Sequence, residues 1–497
     1  MGLSVRCGGI RVVVKRAFRF LRQAPRLQAW GLAGRELLPV DEQGQRPGES
    51  GASPSGERER FRWDDRHHQP HTDLSYLAKL WASRSDVAQF LGLVSCNARH
   101  LLPILASYRR ILRRLPTPSA VSRQAFGVAV SPRPETWERT RRHLDKLGMR
   151  ALLLRVPVWD PAPTLGLRQE LLALAREGWA ITVVLLQDRA AVCDPSRWRI
   201  FVNTVTSDLG EAAHAFQIGQ APNRKKWGVW RPDEYVRLLE GVQEARAAWP
   251  RCLWLGPAVI DFEYHFTVNF LFRSRPFDFD GIASLLYVDR RGSPEATQYG
   301  HFDLFRKILL LRAVIETAHH PEVPIYLNEF NWPLRETGRF SPAGTHVQVD
   351  EEDQAAYLVL YYLASAASGC VAGAFWWQLA AHGYGLVDDE GGNWRVRPAF
   401  AALQELQARA VGRTVRRLPE AARRVRGYLL CGQDGDAVLY ATHQSVRVGG
   451  RLPITGAWDL AGREIDPATL VLGPRPCYVR LATPGPGETA AALATLG

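Results

Sequence analysis

The sequence predicts an α/β protein built on a (β/α)8 TIM barrel, with an N-terminal helical extension before it and a small β-domain after it. Three observations carry this expectation. From about residue 124 short apolar runs alternate with longer amphipathic segments, which is the rhythm of βα units and a parallel sheet. Eight such runs fall within roughly 285 residues, the count and length of a closed eight-fold barrel. After residue 412 the rhythm changes to short alternating strands separated by turns.

The elements follow in chain order. Residues 1–42 form a basic leader, and its first 30 residues hold seven Lys/Arg and no acid. Ile10, Val13, Val14, Ala17, Phe18 and Leu21 recur at helical spacing with the basic residues opposite. That stripe suits an interfacial helix, so residues 10–23 are expected either to contact an anionic membrane peripherally or to pack on the body of the protein. Arg11, Lys15, Arg16 and Arg19 interrupt every apolar run, so a secretory signal is not expected. A cytoplasmic location follows, with the leader offering attachment to the inner face of a membrane. Residues 43–65, beginning "QGQRPGESGASPSGERER", read as a flexible linker rich in Gly, Pro, Ser and charge. Residues 66–123 contain the helical patterns "LSYLAKLWA", "DVAQFLGLV" and "HLLPILASYRRILRRL" and are expected as a helical extension.

Charge and cysteines narrow the function classes. The net charge is +13, of which residues 1–30 carry +7 and residues 121–497 only +3, so the main body gives no reason to infer nucleic acid. Seven cysteines lie far apart without CxxC spacing, which argues for reduced thiols rather than a zinc site or a disulfide framework.

The barrel is expected over residues 124–411. Its strand candidates are "AFGVAV", "ALLLRVPVW", "AITVVLLQ", "AHAFQIG", "CLWLGPAVI", "GIASLLYV", "PIYLNEF" and "VAGAFWWQL". Helical patterns such as "PETWERTRRHLDKLG" and "EEDQAAYLVLYYLASAAS" separate them, and "RPAFAALQELQARA" closes the ring. Residues 412–485 read as a sandwich-like β-domain, in which "GQDGD" marks a hairpin turn, and residues 486–497 as a tail.

A barrel of this kind places its chemistry at the C-terminal ends of its strands. Those ends supply Arg155, Gln187, Gln220 and Asn223 in "GQAPN", Tyr287, Glu329 in "NEFNW", and Trp376 and Trp377 in "WWQ". One carboxylate, several hydrogen-bonding groups and several aromatic faces suit a carbohydrate: rings stack on C–H surfaces, and amides and guanidinium groups hold hydroxyls. No His/Asp cluster with ligand spacing occurs there, so neither metal nor cofactor is expected.

"IYLNEFNW", "FQIGQAPNRKKWG" and "FWWQL" resemble the clan A retaining glycoside hydrolases, nearest to the family 39 type, over residues 124–485. In that family strand 4 ends in Asn-Glu-Pro, the Glu being the acid/base, and strand 7 ends in the nucleophilic Glu. The resemblance implies Glu329 as nucleophile, Gln220 in place of the Asn that holds the sugar 2-hydroxyl, and Ala221 in place of the acid/base. Leu285 stands where such enzymes often carry a His. A retaining glycosidase needs two carboxyl groups, one to attack and one to protonate the leaving oxygen. Ala221 cannot protonate anything. Substitute acids come from Glu263 or His265 in "IDFEYHF" or from His382 in "LAAHGYGL". Two readings remain: a carbohydrate-active enzyme with an altered catalytic pair, or a pseudo-glycosidase that binds glycans or scaffolds polysaccharide or lipopolysaccharide assembly.

Overall fold

The computed structural model describes residues 61–64, 69–72 and 87–482, apart from 274–276, 319–321, 336, 338–346, 419–424, 433–434, 443 and 450–451. The leader, most of the linker, the pattern "LSYLAKLWA" and the tail lie outside the described residues.

Eight parallel strands close into a barrel: β1 (Phe126–Val130), β2 (Ala151–Pro157), β3 (Ala180–Leu186), β4 (Ala213–Ile218), β5 (Leu253–Ile260), β6 (Gly281–Leu285), β7 (Ile325–Phe330) and β8 (Val371–Trp376). Each strand pairs with its neighbours in sequence, and β8 returns to β1 with Ala374 opposite Phe126. All eight apolar runs of the sequence become these strands.

Period-two alternation divides each strand between two cores. Ala129, Ala151, Leu153, Val184, Leu186, Ala215, Leu255 and Phe375 fill the interior of the barrel. Their neighbours Val128, Val130, Leu152, Leu154, Val183, Leu185, Phe216 and Trp376 face outward and pack under the helices. The first of those helices, Pro134–Leu147, shows why these segments are helical. It has Pro at its start and Gly148 at φ 71° at its end, whose N–H donates to the Asp145 carbonyl. It buries Trp137, Thr140, Leu144 and Leu147 at helical spacing. Each apolar side chain so buried contributes roughly 1.5–3 kcal/mol.

Strand β7 departs from simple alternation at the position that matters most. Ala374 of β8 pairs with Leu327, and Trp376 with Phe330, so two residues of β8 span three of β7. The bulge turns both Asn328 and Glu329 into the barrel, while Phe330 remains in the outer core.

The C-terminal domain is a six-stranded antiparallel sheet in the order Thr414–Arg417, Val425–Cys431, Asp436–Ala441, Cys477–Leu481, Ile454–Trp458, Glu464–Ile465. A two-stranded ribbon, Val446–Arg447 with Val471–Leu472, packs Val446 and Leu472 on the same core as Leu429, Ala437 and Val479.

One expectation for the N-terminal extension is corrected. Residues Phe61–Asp64 and Gln69–Thr72, read as linker and helix, pair as an antiparallel ribbon. The patterns "DVAQFLGLV" and "HLLPILASYRRILRRL" form one 27-residue helix, Val87–Arg113, running through Pro103, as the helical expectation for this segment had it. Pro103 is solvent-exposed, so the carbonyl it leaves without an N–H partner faces water.

Candidate active site

Glu329 ends β7 inside the mouth of the barrel and is only 8% exposed. Three side chains from three other strand ends converge on its carboxylate. The Arg155 guanidinium donates to Oε2 and forms a buried ion pair. The Gln220 amide donates to the same oxygen at 2.6 Å. The Tyr287 hydroxyl donates to Oε1. Both oxygens are therefore fixed in orientation by side-chain hydrogen bonds, one of them from a guanidinium.

Each partner is itself positioned. Arg155 continues the inward series Ala151, Leu153 on β2, and its guanidinium lies 3.3 Å from the Trp377 ring centroid and 5.6 Å from that of Trp227. Burial pulls its pKa down from the ordinary arginine range, and Glu329 opposes that shift. Tyr287 lies beneath the Arg291 guanidinium, 4.0 Å from its ring, and burial together with Glu329 raises its hydroxyl well above the usual tyrosine range. Gln220 is clamped through its backbone: its N–H donates to Gln187 Oε1 at 2.9 Å, and its carbonyl accepts from Gln187 Nε2 at 2.8 Å. Its side-chain oxygen accepts from Gln217 at 2.8 Å, and Gln217 in turn accepts from Asn328 at 2.8 Å. A buried amide chain thus runs across the barrel floor from β7 to β4 and back to Glu329.

Ala221 follows Gln220 directly. It is fully buried in the interior cluster with Trp227 and Trp377. Its backbone adopts φ 42°, held by its own N–H to the Ala258 carbonyl at 3.2 Å and by Arg224 N–H to its carbonyl at 2.8 Å. The side chain at this position is a methyl group packed in that cluster.

The remaining candidates divide. Arg155, Gln220, Tyr287 and Trp377 come together around Glu329, and Gln187 supports Gln220 from behind. Trp376 does not line the mouth. It sits in the outer core with its ring centroid 5.6 Å from Phe330 and 6.0 Å from Trp332, because adjacent residues on one strand face opposite ways. Asn223 holds loops rather than facing the carboxylate. It exchanges hydrogen bonds with the Ile260 backbone at 3.1 Å each and donates to Glu263 at 2.8 Å.

None of the three substitute acids is among the groups hydrogen-bonded to Glu329. Glu263 is occupied by Asn223 and by Arg224, the latter at 2.7 Å. The His265 ring packs on Phe266 with centroids 4.6 Å apart, and burial lowers its pKa. The His382 imidazole is bracketed by Asp388 at 2.8 Å and Glu390 at 3.0 Å.

Sequence reasoning passed over Lys226. It sits on the short helical turn Lys225–Trp227, in the same loop as Ala221. Its ammonium feels the charges of Glu329, Arg224, Arg155 and Asp261, and burial pulls its pKa down to about 8. Arg291 was passed over as well; it also donates to Asn331, which anchors the Trp377 carbonyl at 2.7 Å. The run "NRKKWG" after β4 was the available signal, since it follows the C-terminal end of a barrel strand, where such folds place their chemistry.

This barrel with its trailing β-sheet shares its fold with a solved family 39 glycoside hydrolase. A family 39 glycoside hydrolase from the gut symbiont Bacteroides cellulosilyticus WH2 superimposes with a TM-score of 0.57 at 18% identity, covering 73% of this chain and 83% of that one. A family 39 β-xylosidase from Caulobacter crescentus gives a TM-score of 0.47 at 16% identity, covering 75% of this chain and 98% of that one. The family 39 enzyme from Xanthomonas axonopodis pv. citri gives 0.46 at 15% identity, covering 66% and 73%. No family model matches the sequence, and no curated protein matches it.

Proposed function

We propose that the barrel mouth is a carbohydrate site of retaining-glycosidase type in which Glu329 keeps the nucleophile's role and the acid/base position, Ala221, is empty. The observation that carries this reading is the cradle of Arg155, Tyr287 and Gln220 around one buried carboxylate. A structural carboxylate needs only one cation. This one is also oriented at both oxygens by groups from three separate strand ends, as attack on an anomeric carbon requires.

In the reaction so proposed, a Glu329 oxygen bonds to the anomeric carbon while the bond to the leaving group breaks and its electron pair departs with that group. A leaving group that is already a stable anion needs no proton. An ordinary alkoxide does, and general acid assistance is worth about 10²–10⁴-fold, or ~3–5 kcal/mol of barrier. A second reading within this site uses Lys226, which shares the loop of Ala221 and feels the charge of Glu329: in it the ammonium passes the proton to the departing oxygen, and the resulting amine takes one from the water that later releases the sugar.

The test uses dinitrophenyl glycosides and glycosyl fluorides with several sugars. Intact mass should show a glycosyl adduct that persists, that added azide releases faster, and that Glu329→Gln abolishes while sugar binding is retained. Absence of an adduct with every activated sugar would overturn the nucleophile and leave the reading of a glycan-binding pseudo-glycosidase.

A further inference from the structure

The helix Val87–Arg113 is the one helix among the described residues long and apolar enough to cross a membrane. Its contacts exclude that role. Along one face it is bonded to the barrel: Asn97 donates to the His265 carbonyl at 3.0 Å, Ser107 to Glu316 at 2.8 Å, and Arg110 pairs with Glu316 at 2.6 Å. Tyr108 shares a hydrogen bond with His301 at 3.2 Å, and His100 stacks on Phe272 with centroids 3.6 Å apart. Ile104, Tyr108 and Ile111 are buried against that side. A helix bonded along its length to the helices of the barrel cannot be surrounded by lipid.

The opposite face is apolar and uncovered. Val87, Phe90, Leu91, Leu101 and Leu102 are 65%, 57%, 60%, 43% and 76% exposed, and Val94 lies between them at helical spacing. The arginines at the C-terminal end, Arg109, Arg113 and Arg114, are exposed, as is Arg99, and residues 87–113 contain no Asp or Glu. The occupant of this face must therefore accept apolar side chains and also supply negative charge. The same helix of a second copy supplies none. Parallel helices would set the arginines against each other, and antiparallel ones would set them against Val87 and Phe90. The basic stretch of residues 1–30 supplies none either, because it holds no acid. A phospholipid surface with anionic headgroups supplies both.

We propose that the exposed face of the helix Val87–Arg113 docks on an anionic phospholipid surface, the apolar stripe entering the headgroup region and the arginines meeting lipid phosphates. The helix then lies in the plane of the membrane with the barrel on its aqueous side, independently of what the barrel mouth does.

Flotation of the full-length protein with phosphatidylcholine vesicles, with and without phosphatidylglycerol, tests this. Binding is expected only to the anionic vesicles and should weaken with salt. Phe90→Ser/Leu91→Ser/Leu102→Ser should abolish it with no fall in melting temperature, because these side chains are exposed. Arg109→Gln/Arg113→Gln should weaken it by about fivefold per arginine. Failure of the full-length protein to bind would overturn the proposal. So would binding that the helix variants leave intact while Arg11→Glu/Lys15→Glu/Arg16→Glu in the leader removes it. A dimer in solution that the triple-serine variant converts to monomers, without vesicle binding, would assign the face to a second copy instead.

Discussion

Ala221 holds a backbone conformation at φ 42° that costs an L-residue roughly 1–2 kcal/mol, and it keeps that conformation although its side chain has no acid to present. Its φ depends on hydrogen bonds to Ala258 and Arg224, which do not involve the methyl group. Ala221→Glu should accordingly retain the turn. On the proposed reading it should raise hydrolysis of unactivated glycosides by some part of the 10²–10⁴-fold that an acid/base contributes, measured as kcat/KM against the parent. No gain in an adduct-forming protein would mean that the new carboxyl does not reach the departing oxygen. Lys226 gives a second prediction with a definite sign. Its pKa is lowered from 10.5 to about 8, chiefly by burial. The ammonium is present below that value and lost above it, so proton-assisted cleavage should fall as pH rises through about 8. Between about 8 and 10.5 the unfolded chain binds more protons at this lysine than the native one, so its contribution to stability rises with pH over the same window. Lys226→Met should remove both trends, and pH profiles of rate and of denaturant midpoint would show it. Opposite slopes for rate and stability distinguish this lysine from general alkaline unfolding.

The β4 loop carries Gln220, Ala221, Lys226 and Trp227, and its path is set by close backbone approach. Gly228 lies at φ 88°, and a Cβ there would stand 2.6 Å from the Arg189 backbone nitrogen and 2.7 Å from the Asp188 carbonyl carbon. Arg189 then ties down the turn through the Gly228 carbonyl at 2.9 Å and through Glu234 at 2.9 Å. On the other side Arg224 reaches Asp261 at 2.6 Å and Glu263 at 2.7 Å, joining this loop to the one after β5. Gly228→Ala should destabilise the protein by at least ~1–2 kcal/mol from the left-handed backbone alone, more with the clash. A lowered melting temperature together with weakened sugar binding would show that the turn positions the site; lowered stability with unchanged binding would separate the two.

At the scale of the whole molecule, the C-terminal sheet is fastened to the loop that follows Tyr287 and Arg291. Glu295 in that loop accepts from Arg426 and from the Tyr440 hydroxyl, the latter at 2.6 Å, and lies 3.5 Å from Arg417. Arg417 also reaches the buried Asp303 at 3.3 Å. Glu295→Ala would leave two arginines and a tyrosine short of an acceptor. The cost should approach the ~3–5 kcal/mol of a broken buried pair but fall below it, because Arg426 is 30% exposed and water can reach it. Calorimetry should then show an earlier transition of the β-domain separating from that of the barrel. One undivided transition at the parent temperature would show that the junction bears little load.

The sequence alone determined the barrel, because the strands are largely buried on both faces and therefore appear as short, mostly apolar runs, as in "AITVVLLQ". It also marked Glu329, Arg155 and Tyr287 as strand-end groups, since a charged or hydroxyl-bearing residue that ends such a run has only the mouth of the barrel to occupy. Direction was legible in part: period two places Trp377 and Trp376 on opposite faces, but which of the two turns inward depends on strand register. Tertiary structure alone decided three things. The bulge that turns Glu329 inward is a mismatch of pairing between β7 and β8, and neither strand's sequence encodes it separately. The low pKa of Lys226 comes from burial under neighbouring loops. The bare face of Val87–Arg113 exists because the barrel covers one side of a helix whose apolar residues extend around both, and a linear pattern cannot say which side meets water.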